Sequence, residues 1–287
     1  MKLGIVTPVL TMLPRAHAQW EEDAPFADVV AIAQDAERLG YHHLTCSEHV
    51  GVPVPIAEVR GGRYYDPLAT FGYLAACTAT IRLAVHVLVL GYHHPLAIAK
   101  RYGTLDVVSG GRLVLGVGVG SLQEEFELLG AAFDDRGARA DDAMRALRAA
   151  LSQPEPSYRG KYYEFAGFLV DPCAVQERVP MWVGGRSYRS LRRAYQLGDG
   201  WAPFGLRTAE LGEMLDRARS SYQRDIDIVL QSEHPFDPLT EPDRVSEQLR
   251  RFAAIGATHC NVRFVHHSAA HYREQLVALS EIAEAAG

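Results

Sequence analysis

Short apolar runs alternate with helical stripes along this 287-residue chain. The first run, LGIVTPV, spans Leu3–Val9. A helix is expected from Pro25 to Leu39, with Asp23 as a possible cap and Val29, Ile32, Ala33 and Ala36 on one stripe. Gly40 stops it. His43–His49 reads as the second strand, and a glycine- and proline-bearing loop follows. Asp66-Pro67 then opens a helix, because aspartate caps free amides and proline suits the first turn. Strand three is Ile81–Leu90, with a helix from Pro95 to Ser109. Strand four lies within Gly110–Phe126, and helices begin at Leu122 and Arg136. A Pro- and Tyr-rich excursion, Pro154–Pro180, precedes strand five at Met181 and a helix over Tyr188–Leu197. Strands six, seven and eight start at Gly200, Asp225 and Thr258, with helices at Thr208–Gln223, Pro242–Ile255 and Ala269–Ala286. Eight strand–helix units without a composition break predict one (β/α)8 TIM barrel over residues 1–287.

Within Gly110–Phe126 (GGRLVLGVGVGSLQEEF) the glycines invite a dinucleotide reading. A G-x-G-x-x-G frame fails in both registers, ending on Ser121 or Gln123, and it lies on the fourth strand. Alternation reads better. Leu113, Leu115, Val117 and Val119 face the helices, which leaves Val114, Gly116, Gly118 and Gly120 for the lumen. Such bare positions either make room for a flat ligand at the mouth or relieve crowding in a narrow barrel. On strand three the same test sends Leu83, Val85, Val87 and Val89 outward, and Arg82, Ala84 and His86 inward. On strand two Leu44 and Cys46 face out, while Thr45, Ser47 and His49 face in, His49 nearest the mouth. On strand eight Cys260, Val262 and Phe264 face out, and His259, Asn261 and Arg263 face in. Polar groups therefore converge on the axis.

The chain is 48% hydrophobic and 22% charged, with a net charge of −6. Scattered arginines in an acidic chain do not suit nucleic acid. No leader and no membrane-length apolar run is read, so no membrane partner is expected. Cys46, Cys77, Cys173 and Cys260 form no paired motif and read as buried thiols of a cytoplasmic protein. Twelve histidines raise a metal hypothesis. Strand one lacks an H-x-H, strand eight ends without an aspartate, and the pairs His42-His43, His93-His94 and His266-His267 should point apart, so no metal is expected. No G-x-S-x-G elbow supplies a nucleophile. At VGGRSY (Val183–Tyr188), Gly184, Gly185, Arg186 and a helix start could hold an anion; the alternative is a plain tight turn.

Several segments together resemble the bacterial luciferase-like monooxygenase superfamily, most closely its deazaflavin-dependent branch. They are AERLGYHHLTCSEH (Ala36–His49), the run Asp66–Gly120, EEFELLG, RGARADDAMRALR (Arg136–Arg148), YRGKYYEF, PMWVGGRS (Pro180–Ser187) and LGDGWAP (Leu197–Pro203). The resemblance implies a luciferase-like barrel holding coenzyme F420, or alternatively FMN, at its C-terminal mouth, a small organic substrate and a homodimer. His49 matches a histidine near the reactive carbon that assists proton movement. His86-Val87 matches a strand-three bulge, often a non-prolyl cis peptide, that backs the ring. Gly118 and Gly120 match the strand-four segment beside the cofactor, and Gly184, Gly185 and Arg186 the loop near its phosphate. Ser121 departs from sugar-phosphate dehydrogenases of the branch, which carry an acid there, and Thr45 stands where many relatives have an aromatic. Glu124 and Glu125 read only as a helix start. The expectation is F420-dependent hydride transfer with His49 moving the proton; the alternatives are a reduced-FMN monooxygenase and a non-enzymatic flavin-binding paralogue. Arg15, Trp20, Tyr64 and Tyr65 are expected to line the substrate side.

Overall fold

Eight parallel strands close into a barrel in chain order, strand one pairing with both strand two and strand eight. In the computed structural model, which describes residues 1–14 and 17–286, they are Lys2–Val6, His43–Cys46, Arg82–Val89, Leu113–Gly118, Met181–Gly184, Gly200–Ala202, Asp227–Gln231 and His259–Val262. The chain thus has a (β/α)8 TIM-barrel architecture, with helices outside the strands. A short ladder between Thr11–Met12 and Arg63–Tyr64 ties together the loops after strands one and two. The excursion carries a second, between Tyr158–Arg159 and Glu164–Phe165.

Local chemistry explains the helices. Helix Phe26–Arg38 buries Val29, Ile32, Ala33 and Ala36, the expected stripe, and Gly40 follows it at φ 76°. Pro25, with no side-chain cap, holds the N-cap position, so Asp23 does not cap it. Asp66 does cap helix Pro67–Cys77, its Oδ1 accepting the Ala69 N–H at 2.8 Å. Helix Val54–Arg60 was not expected: it buries no residue, so no apolar stripe announces it.

Two apolar layers result. The outer one holds Leu44, Cys46, Leu113, Leu115, Val117, Cys260, Val262 and Phe264 between strands and helices. The inner one is Ala84, Val114, Trp182, Ala202 and Val229. Alternation therefore holds on strands two, four and eight. Cys46 and Cys260 are buried free thiols, pushed up to about 12 by burial. Cys77 and Cys173 are only half-buried, which corrects the reading of all four as buried.

Strand three breaks the alternation. Val85 pairs with Leu115, but the next partner of Val117 is Leu88, so one extra residue bulges out. The slip puts Leu88 in the outer layer and turns Val87 the other way, correcting the expectation that Val87 faces the helices. The bulge lies at His86–Val87, whose peptide bond is cis. It also explains the glycines. A Cβ on Gly116 would run into the Val85 carbonyl, and a Cβ on Gly118 or Gly184 would lie 2.7 Å from a Val87 Cγ atom. These bare positions admit the bulge, so relief of crowding is the reading that fits, and Val87 fills the space left free. Strand four ends at Gly118; Gly120 lies beyond it at φ 77°.

Strand one also stops early. Val9 sits at φ 72°, a rare conformation for a β-branched residue, and its N–H donates to Glu21 Oε2 at 2.6 Å. Among the described residues no helix is long and apolar enough to cross a membrane.

Candidate active site at the barrel mouth

The segment Ser47–Gly51 leaves strand two and crosses the bulge. Ser47 Oγ donates to the His86 carbonyl at 2.7 Å, and the Glu48 N–H to the Val87 carbonyl at 3.4 Å. Buried Glu48 takes the Val89 N–H at 2.7 Å on one oxygen and faces His93 Nε2 at 2.6 Å with the other. The segment just after strand two thus holds the His86 and Val87 carbonyls at the bulge.

Beyond this clamp, His49 Nδ1 lies 2.7 Å from Glu125 Oε2. Glu125 comes from helix Gln123–Leu128 and its side chain is fully buried. The Val50 and Gly51 N–H groups donate to its Oε1 at 2.5 and 3.2 Å, and the Tyr92 hydroxyl to its Oε2 at 2.7 Å. Burial opposes charge on this carboxyl, but the hydrogen bonds from His49 and Tyr92 outweigh it and hold its pKa below the ordinary value. An ionised Glu125 places the imidazole proton on Nδ1 and leaves Nε2 of His49 free to accept another. The Tyr64 ring packs edge-on to His49 at 4.4 Å, and Arg60 reaches Ser121 Oγ at 3.2 Å.

The other expected residues fall into three groups. His86 and Val87 stand at the same end of the lumen as His49, above Gly118 and Gly184; burial pushes the His86 imidazole down to about 4. Gly120 packs under Phe126 and Val89, away from them, and its carbonyl accepts from Arg136 Nε at 3.2 Å. Gly184, Gly185 and Arg186 form the turn into helix Tyr188–Leu197; Gly185 needs φ 126°, Arg186 is exposed, and Ser187 caps the helix. Arg263 is inward as expected and half-buried, and its guanidinium has no hydrogen-bond partner among the described residues; burial lowers its pKa against the nearby charge of Glu21. Trp20 donates to His266 Nδ1 at 2.9 Å, and Arg15 lies outside the described residues. The sequence reading missed the roles of Glu125 and Tyr92. No signal in the sequence marked them: that Glu125 and Phe126 are the buried residues of helix Gln123–Leu128 appears only in the fold.

At the opposite end, the lumen floor is packed with rings. His43 Nε2 bonds Asn261 Oδ1, and its Nδ1 lies 3.0 Å from His42 Nδ1. The rings of His42 and His259 are 4.6 Å apart, and Trp182 Nε1 donates to Asp227 at 3.0 Å. His42 and His43 therefore converge rather than diverge, because His42 precedes the strand and escapes its pleat. Burial pushes His42 down to about 4 and His259 to about 3. Among the described residues no group of His, Cys, Asp or Glu has the geometry of a metal site.

The donor set suits a phosphorylated planar cofactor. Val87, packed over Gly118 and Gly184, gives an apolar surface for a ring, while the turn after strand five offers glycine amides, a helix start and an arginine with no hydrogen-bond partner among the described residues for an anionic tail.

The whole chain, residues 1–287, matches the family model described as luciferase-like monooxygenase, and the protein belongs to that family. An uncharacterized protein of Mycobacterium tuberculosis is 27% identical over 206 residues, 68% of this chain and 71% of that one. Among solved structures, an F420-dependent secondary alcohol dehydrogenase with an F420-acetone adduct superposes with TM-score 0.77 at 13% identity, covering 100% of this chain and 99% of that one. The oxygenating constituent of 3,6-diketocamphane monooxygenase from Pseudomonas putida, in complex with FMN, gives 0.75 at 16% identity, covering 98% and 97%. Structures that this chain resembles in fold thus include an F420-dependent enzyme and a monooxygenase component solved with FMN.

Proposed function

We propose that the protein is a deazaflavin-dependent oxidoreductase acting on a small organic substrate. Bound at the mouth, F420 would give or take a hydride at its C5; the remaining tasks fall to the chain. Val87, seated on Gly118 and Gly184, would back the ring beside His86, and Gly185, Arg186 and the helix start would hold the phosphate. Gly120 would act indirectly, by letting Phe126 and Val89 pack behind the mouth. In the oxidative direction, as a C–H hydride leaves the substrate, the proton of its hydroxyl or amine would pass to His49 Nε2. Glu125, on Nδ1, would fix the tautomer and stabilise the imidazolium.

The observation that supports this reading is the His49–Glu125 pair: a buried carboxylate aims an imidazole whose second nitrogen has no hydrogen-bond partner among the described residues. Fluorescence titration with purified F420 and with FMN tests it. The expected result is saturable F420 binding followed by turnover with small alcohols or carbonyl compounds; tight FMN binding without F420 binding overturns it. The family description and the FMN-bound neighbour favour a second reading, a reduced-FMN monooxygenase, and that same outcome would establish it.

A further inference from the structure

Far from the mouth, a cleft of about 440 Å³ opens between helices Arg136–Ala150 and Tyr188–Leu197. Arg145, Arg148, Arg178 and Arg224 line it, and no carboxylate does. Behind them lies Asp199, whose oxygens take Arg148 at 2.5 Å, Arg178 at 2.7 Å and Arg224 at 3.2 Å. The same carboxylate accepts the Met181 N–H at 2.9 Å, which ties it to the first residue of strand five. Asp199 is therefore at the N-terminal edge of the barrel, the end opposite His49.

Charge is out of balance here. One aspartate answers three guanidiniums, and Arg145 has no partner among the described residues, in a chain whose overall net charge is −6. Burial, together with the like charges of Arg178 and Arg224, pulls the Arg148 guanidinium below its ordinary pKa despite Asp199. Arg148 bridges Asp199 and the Val179 carbonyl, and Arg224 donates to the Tyr195 and Gly198 carbonyls at the end of helix Tyr188–Leu197, so these two also hold the fold. The exposed pair of Arg178 contributes only ~0–1 kcal/mol and Arg145 makes none, which leaves a surplus the fold does not use. Among the described residues, Nη1 of Arg178, Nε of Arg224 and the whole fork of Arg145 have no acceptor.

We propose that this cleft binds a diphosphate group, held by Arg145, Arg178 and Arg224. Planar guanidinium forks match phosphate oxygens in pairs, and a multiply charged oxyanion relieves the repulsion among the arginines. The site is separate from the redox centre, so it stands or falls independently of the proposed reaction.

Thermal unfolding with inorganic pyrophosphate, at constant ionic strength set by chloride, tests it. The expected result is a saturable rise in Tm with Kd below roughly 1 mM. The double variant Arg178→Gln/Arg224→Gln weakens binding by about tenfold or more, and Arg145→Gln, which breaks no existing bond, by about threefold or more. Arg186→Gln, which removes any share of the anion taken by the turn after strand five, still gives a saturable rise, because the cleft remains. No rise beyond the chloride control, or equal binding by both arginine variants and wild type, overturns the proposal. So does loss of binding in Arg186→Gln, which would assign the anion to that turn.

Discussion

At the lumen floor His43 is wholly buried, bonded to Asn261 and surrounded by the rings of His42, His259 and Trp182. At the mouth His49 keeps 22% of its side chain exposed and sets one nitrogen against the buried carboxylate of Glu125. The floor histidines are kept neutral by burial, with partners that are mostly uncharged. Glu125 is instead kept ionised by the hydrogen bonds it receives. The same residue type thus packs one end of the barrel and is aimed at the other. What separates the two roles is the partner and the access, since both groups face inward.

The largest test of this difference is His49→Ala. Turnover should fall by about 10²–10⁴-fold, the usual contribution of a positioned acid–base group, while F420 binding stays within about threefold. Kinetics beside a fluorescence titration would show it, and undiminished turnover would make His49 equivalent to a floor residue. Next comes the glycine wall. Gly118→Ala places a methyl 2.7 Å from Val87 and should cost about 1–3 kcal/mol in chemical denaturation. Adding Val87→Ala should recover most of that loss, because the two changes share one contact.

Acid titration separates the ends by pH. Histidines whose folded pKa lies below 6.5 contribute stability that is complete above pH 6.5 and is lost as pH falls, toward about 4 for His42 and 3 for His259. The lowered carboxyl of Glu125 contributes stability present above its ordinary value of 4.5 and lost as pH drops below that. Tm should therefore begin to fall near pH 6.5 and steepen below 4.5. His42→Gln should soften the first stage without changing kcat. Glu125→Gln should soften the second and lower kcat by roughly tenfold, since His49 loses its counter-charge. The smallest effect is expected from Ser47→Ala, which removes the hydroxyl on the His86 carbonyl and should cost about 0.5–1.5 kcal/mol.

Much of this was legible in one dimension. Strand–helix alternation determined the barrel, because each element must bury one face, and the two periods survive in the chain as LGIVTPV or as the Val29–Ile32–Ala33–Ala36 stripe. Alternation placed His49, His86, His259, Asn261 and Arg263 inside, and the resemblance placed a bulge at His86–Val87. What needed three dimensions was every pairing across strands. The glycines of strands four and five answer to Val87 of strand three, a contact visible only once the register slip is known. Glu125, 76 residues after His49, reads in isolation as an ordinary acid at a helix start. Asp199 and its arginines, too, are distant in sequence and meet only at the barrel edge. Periodicity is a property of neighbours along the chain, whereas a proton partner or a filled void belongs to whatever folding brings alongside.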